Sequence, residues 1–155
     1  MQQIVVYHHN LIYFILNYYI MTEITDLNDL FPASTSSIIS VSTDSGTRTY
    51  TLLDDLTVST DDLTPATIPS IESVTHVVFD GDGHTVTYSN NNHTNGLFDT
   101  EDDVNYDITI KNLGITNGKT RINNGFICTT EFAKDATSNI TIDNCYSTCL
   151  LYTSD

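Results

Sequence analysis

The stretch Asp107-Ile-Thr-Ile-Lys-Asn112 decides the fold, because two other parts of the chain can be laid over it. The matching segments are His76-Val-Val-Phe-Asp-Gly81 and Asn139-Ile-Thr-Ile-Asp-Asn144. Each has an apolar residue, a variable one, a second apolar one and then a polar pair, and this alternation is typical of a half-buried strand. The sequence therefore predicts three strands of one kind.

These segments recur at a nearly constant distance. Val77 lies 31 positions before Ile108, and Ile108 lies 32 positions before Ile140. A second register repeats as well, because Gly96-Leu97-Phe98 returns as Gly125-Phe126-Ile127, 29 positions later. A repeat of this length that holds several short strands and no helical stretch predicts a β-solenoid, in which each coil stacks on the next.

Stacked coils also bring polar turn residues together. Asn112 and Asn144 fall at equivalent places after their Ile-Thr-Ile strands. We therefore expect each asparagine side chain to bond to its counterpart in the neighbouring coil.

The composition supports a β fold and argues against two classes of partner. The 155-residue chain fits one domain, 39% of it is hydrophobic, and it is rich in residue types that suit strands and turns. Its 20 acidic residues against 5 Lys and Arg give a net charge of -15. Nucleic acid and anionic membrane surfaces are both held mainly by basic residues, so we expect no nucleic-acid partner and no membrane partner.

The two ends of the chain differ from its middle. Residues 1–20 contain no acid, Lys or Arg, they lack the three features of a signal peptide, and their apolar run is too short to span a bilayer. We interpret them as upstream read-through before a start at Met21, and the alternative is a membrane-anchoring segment. Residues 149–155, CLLYTSD, resemble the translation of a transposase adapter used in sequencing libraries, so we expect the natural protein to continue past Thr148.

Between these ends the sequence predicts two parts. Residues 21–45 would form an N-terminal cap, because the end of a solenoid exposes strand edges and core side chains. Within it, Leu27, Leu30 and Phe31 lie on one side of residues 25–31 and favour a short capping helix. Residues 46–148 would form about three coils.

The repeated segments resemble a known family. They are Phe79-Asp-Gly-Asp-Gly-His-Thr-Val-Thr87, Asn105-Tyr-Asp-Ile-Thr-Ile-Lys-Asn-Leu-Gly-Ile115 and Ser138-Asn-Ile-Thr-Ile-Asp-Asn-Cys145, and they look like right-handed parallel β-helix proteins of the pectate-lyase-like superfamily. The resemblance covers residues 47–148. It implies an all-β, single-stranded right-handed β-helix, but no one activity, because the superfamily holds lyases, hydrolases, epimerases, phage tailspikes and adhesins.

Asp80-Gly-Asp-Gly-His84 is the most conspicuous candidate site. Its carboxylates and imidazole indicate either Ca²⁺ binding by Asp80 and Asp82 or acid–base work. The glutamate that ends an EF-hand loop is absent, and we favour a tight turn in which Gly81 and Gly83 supply positive φ and aspartate supports the bend. We expect no resident cofactor.

A catalytic set does not emerge from the remaining polar residues. Acidic pairs occur at Asp54-Asp55, Asp61-Asp62 and Asp102-Asp103, and Glu101 precedes the last pair. The resemblance implies hydrolases that use converging carboxylates, or lyases that use Ca²⁺-bound aspartate with a basic proton acceptor. Arg121-Ile-Asn123 is similar to the Arg-Ile-Lys triplet of polygalacturonase-type hydrolases, but Asn replaces Lys, so no catalytic residue carries over.

Histidines and cysteines follow no catalytic or metal-binding spacing. We interpret His76, His84 and His93 as turn or surface residues. Cys128 and Cys145 are interpreted as stacked or buried thiols, and the sequence leaves a disulfide between them open.

Two functional hypotheses follow. We expect a non-enzymatic surface or structural protein, adhesin-like or appendage-like, whose long face rich in Asn, Asp, Thr and Tyr contacts a polysaccharide or other glycan outside the cell or on a virion. If it is tailspike-like, we expect a homotrimer. The alternative is a polysaccharide lyase or glycoside hydrolase whose site lies in coils beyond Thr148. Carboxylates from adjacent coils that converge near Lys or Arg would favour this alternative.

Overall fold

The computed structural model describes residues 22–59, 64–89, 93–94, 96–101, 104–117, 119–120, 125–129, 132–134, 139–148 and 150–151. The leader, residues 1–20, and most of the segment 149–155 lie outside the described residues. The predictions made for those two segments therefore stay predictions.

Short strands make up nearly all the regular structure. They are β1 (Thr22–Ile24), β2 (Ile39–Asp44), β3 (Thr47–Leu52), β4 (Leu56–Val58), β5 (Ala66–Ile68), β6 (His76–Asp80), β7 (Thr85–Tyr88), β8 (His93–Thr94), β9 (Phe98–Thr100), β10 (Asp107–Lys111), β11 (Gly114–Thr116), β12 (Lys119–Thr120), β13 (Ile140–Asp143), β14 (Tyr146–Ser147) and β15 (Leu150–Leu151).

The strands stack into sheets that the chain visits in turn. Sheet 1 has the order β2-β3-β6-β10-β13, sheet 2 has the order β1-β4-β7-β11-β14, and smaller sheets join β8-β12-β15 and β5-β9. Neighbours within a sheet are far apart in sequence and, apart from β2 and β3, run parallel. The predicted fold class is confirmed: the protein is an all-β solenoid of about three turns.

The predicted register of sheet 1 is confirmed residue by residue. Ile108 pairs with Val77 on one side and with Ile140 on the other. Side chains of a parallel sheet alternate between its two faces. The residues that pair in this register therefore face the interior at the same position in each coil.

The second predicted register is wrong by one residue. Phe98 forms a bridge with Cys128 and not with Ile127. The Phe98 amide donates to the Ile127 carbonyl, at 2.8 Å, which in a parallel ladder makes the following residue the partner. At Gly96 an added Cβ would meet the Cys128 carbonyl carbon at 2.4 Å, so the glycine serves this close backbone approach.

The segment predicted to cap the N-terminal end contains strands as well as a helical turn. β1 pairs in parallel with β4, and β2 pairs antiparallel with β3. The expected capping helix is a single 3-10 turn over Leu27–Leu30, in which both leucines are buried, and the Asp26 carboxylate accepts from the Asn28 amide at 2.8 Å. Phe31 then places its ring edge-on to Tyr50, at a centroid distance of 5.0 Å.

The interior is a stack of like side chains, and its last layer is open. In one column Tyr50, Phe79 and Ile110 are aligned and buried, whereas Ile142 in the same column is 49% exposed. Ile142 lies on β13, the last strand of sheet 1 among the described residues, so only one of its flanks is covered.

This column gives a matched test of the stacking. We expect Ile110→Ala to lower the free energy of unfolding by about 2–5 kcal/mol, because it leaves a cavity between two layers. Ile142→Ala removes the same atoms from a position that is covered on one side only. It should lower the free energy of unfolding by about 1 kcal/mol or less. Urea denaturation followed by circular dichroism measures both, and equal losses would contradict the register.

Candidate functional site

The turn between β6 and β7 holds the conspicuous Asp-Gly-Asp-Gly-His motif. Asp82 and Gly83 both adopt left-handed backbone angles, with φ of 51° and 87°. Gly81 does not, which corrects the prediction that both glycines supply positive φ. An added Cβ at Gly81 would lie 2.5 Å from the Asn112 carbonyl oxygen, so this glycine is needed for contact with the next coil.

The Asp80 carboxylate is fully engaged within this turn and the adjacent coil. It accepts from Lys111 Nζ at 2.8 Å, from the Asn112 side-chain amide at 3.0 Å and from the Asp82 backbone at 3.0 Å. Partial burial disfavours the charged carboxylate, but the donors outweigh this effect, and the pKa of Asp80 lies below its usual value. The arrangement holds Asp80 ionised as a structural anchor.

Asn112 and Asn144 continue this contact along the solenoid. The side-chain amide of Asn144 donates to the Asn112 side-chain oxygen at 2.8 Å, and Asn112 in turn donates to Asp80. Both asparagines adopt left-handed φ, 53° and 48°, which Asn tolerates better than other non-glycine residues. A polar ladder therefore runs across three coils at the corner where sheet 1 turns into sheet 2.

Metal coordination at the turn finds no support in this geometry. The oxygens of Asp80 already accept from three donors, and His84 Nδ1 lies 3.4 Å from a carboxylate oxygen of Asp55. Among the described residues, no group of three or more His, Cys, Asp or Glu could hold a metal ion. Calcium binding by Asp80 and Asp82 remains a prediction.

Several other charged side chains of the described chain also have structural partners. Asp55 accepts from the Thr85 amide at 2.8 Å, and Glu101 accepts from the Ser70 amide at 3.1 Å. Arg48 donates to the Ala33 carbonyl at 2.6 Å and to the Tyr50 hydroxyl at 3.0 Å. The pairs Asp61-Asp62 and Asp102-Asp103 and the triplet Arg121-Ile-Asn123 lie outside the described residues.

His76 contacts a hydroxyl group, whereas the Cys128 and Cys145 thiols lie close enough to influence each other. His76 Nε2 lies 2.9 Å from the Thr109 hydroxyl, within sheet 1. Cys128 and Cys145 are half-buried free thiols. Burial, with Cys145 and Asp99 adding to it, raises the pKa of Cys128 to about 12, so this thiol is a poor nucleophile at neutral pH. The side chain of His93 lies outside the description.

Tyrosine is distributed differently from the sequence-based expectation. Tyr50, Tyr88 and Tyr106 are buried in the core, so they do not line a face. The Tyr106 hydroxyl donates to the carbonyl of Pro69 at 3.2 Å, and burial raises the pKa of Tyr106 to about 12. Tyr146 differs, because 51% of its surface is exposed.

The outer face of sheet 2 carries two aligned rows of side chains. In the first row Gly114 pairs with Thr85 on one side and with Tyr146 on the other. In the second row Thr87 pairs with Thr116, and their hydroxyl oxygens lie 2.7 Å apart. The sequence reasoning missed Gly114 and Tyr146, although each follows a ladder asparagine by two positions, and that offset could have paired them.

The fold and these rows define the class of protein, a parallel β-solenoid with polar outer faces. Comparisons with protein-family models, curated proteins and solved structures gave no match to this chain. The resemblance to the pectate-lyase-like superfamily therefore stays a prediction. Within the described chain no helix has the length and apolar character needed to cross a membrane.

The Asp80 anchor predicts a pH-dependent contribution to stability. Its pKa is lower in the folded chain than the value of 3.8 expected when it is unfolded, so its stabilisation is present above that value and is lost as the pH falls through the folded pKa. We expect Asp80→Asn to lower the free energy of unfolding by about 1–3 kcal/mol at neutral pH. The difference from the unaltered protein should shrink in acid.

Asp143→Asn is the matched control for this measurement. Asp143 occupies the same row two coils further on, but its residue is exposed. Its substitution should change stability by no more than about 0.5 kcal/mol. Urea unfolding at neutral and acid pH measures both variants, and an equal, pH-independent loss in each would contradict the anchor.

Proposed function

We propose that this protein is a non-enzymatic β-solenoid of a surface or appendage, and that it binds neutral glycans through its polar sheet faces. The observation that carries the proposal is the alignment of hydroxyl-bearing side chains in rows across successive strands. Such rows offer donors and acceptors at a regular strand spacing of about 4.8 Å. A polysaccharide presents its own hydroxyl groups at repeated intervals, so the two patterns suit each other.

Both large sheets contribute polar groups to their outer faces. On sheet 1 the row Thr49-Val78-Thr109-Thr141 is interrupted only by valine. On sheet 2, Thr57, Thr87 and Thr116 follow one another in the same way. A threonine hydroxyl both donates and accepts, which is what contact with a sugar hydroxyl requires.

The contacts of the carboxylates support binding over catalysis. One row does bring Asp80 beside Lys111, with Asp143 in register on the far side. Lys111 Nζ donates to Asp80, however, and an ammonium engaged with a carboxylate has no lone pair with which to accept a substrate proton. The row of two aspartates around a lysine is the feature in favour of the lyase or hydrolase alternative, which stays a prediction.

Charge selects among glycans. The net charge of the chain is -15, and each of the described sheet 1 strands except β3 carries an aspartate. Like-charge repulsion therefore acts against uronic-acid polymers, whereas neutral sugars can donate hydroxyl hydrogen bonds to the same carboxylates. An extracellular or virion-surface location, and a homotrimer if the protein is tailspike-like, fit this role and belong to the proposal.

Affinity electrophoresis of the full chain tests the proposal. Gels that contain a soluble β-glucan, a galactomannan or a xylan should retard the protein in at least one case, and a polygalacturonate gel should not retard it. Reducing-end and unsaturated-product assays on the same mixtures should show no cleavage. Retardation by none of the neutral polymers, or release of product, would overturn the proposal.

A further inference from the structure

The ring of Tyr146 fills a space on sheet 2 that Gly114 leaves open, and we call this space the seat of the ring. A Cβ atom added at Gly114 would lie 2.5 Å from both Cζ and the hydroxyl oxygen of Tyr146, and 2.7 Å from Cγ2 of Thr85. The outer end of the tyrosine ring therefore rests over a backbone position that has no side chain. Any other residue at Gly114 would displace the ring.

This seat fixes an aromatic ring on the outside of the sheet. Tyr146 pairs with Gly114 across β14 and β11, and on β14, the last described strand of sheet 2, it remains 51% exposed. An aromatic ring left in water forgoes the burial that stabilises tyrosine elsewhere in this chain. Because the ring is supported by the sheet, contact with a ligand requires little further ordering.

Polar groups flank the ring along the same row. Leu56 pairs with Val86, which places Asp55 level with Thr85, and Thr85 is level with Gly114. Asp55 is thus two strands from Gly114, or about 10 Å. Its side chain is 50% exposed and that of His84, which it contacts, is 32% exposed.

From this arrangement we infer a sugar-binding site on sheet 2, with Tyr146, seated on Gly114, stacking on a pyranose ring. The C–H groups of a pyranose face carry slight positive charge and suit the negative face of an aromatic ring. Asp55 and His84 form hydrogen bonds with hydroxyl groups of the adjoining sugar. Thr87 and Thr116 lie in the next row, at the edge of this site. The ligand is a neutral glycan, so this inference rests on the proposed function and locates its site.

Two substitutions of the ring test the site. With the polysaccharide that retards the full chain most, we expect Tyr146→Ala to weaken affinity about 3- to 10-fold, by analogy with the energies of aromatic ring pairs. Tyr146→Phe keeps the ring, and its affinity should stay within about twofold of the unaltered chain. The loss of one hydrogen bond from a solvent-exposed hydroxyl has a small effect. Glu72→Gln, at an exposed position in the turn between β5 and β6, should leave affinity unchanged.

Gly114→Ala provides a second, independent test, because it keeps Tyr146 but moves the ring off its seat. It should weaken affinity as much as Tyr146→Ala, and a thermal melt establishes that the variant is folded. If Tyr146→Ala binds as tightly as the unaltered chain, the site is wrong and the proposed function stands. If the unaltered chain binds no neutral polysaccharide, both are overturned.

Discussion

Parallel pairing between strands about one coil apart places each side chain directly over its counterpart, and the rest of the structure depends on this alignment. Inside, it stacks Tyr50, Phe79 and Ile110 in one buried column. At the corner it stacks Asn144 on Asn112. A shift of one residue would turn each inward side chain outward, so the apolar columns hold the register. The polar ladder then adds directional bonds that only the correct register can form.

The sequence predicted the features that follow from this alignment and missed those that depend on turn geometry. The pairing of Val77, Ile108 and Ile140 is readable because apolar residues repeat at matched offsets. The pairing of Phe98 was misread by one residue, because three residues of similarity cannot reveal how a turn adjusts the ladder. Gly81 looked like a residue required for positive φ, yet close approach of the Asn112 backbone explains it, and only coordinates show such an approach.

The candidate site was harder to predict for a related reason. Composition shows that the chain is rich in tyrosine, but it cannot separate Tyr50, Tyr88 and Tyr106, which lie in the core, from Tyr146, which lies on a face. Inward and outward positions differ by one residue in a strand, and short strands give too few residues to fix that phase. The glycine opposite Tyr146 becomes meaningful only after the register is known.

The alignment that builds the core also underlies the proposal that a repeating polymer binds the outer face. Strands that stack at a constant spacing repeat their outward groups, as Thr57, Thr87 and Thr116 do, so one weak contact is accompanied by similar contacts along the sheet. When several weak contacts lie on one rigid sheet, binding of one unit of a polymer raises the effective concentration of its other units at the remaining contacts. A monomeric sugar would gain only one of them, whereas a polysaccharide would gain several, so a face built from such rows can bind selectively without enclosing its ligand.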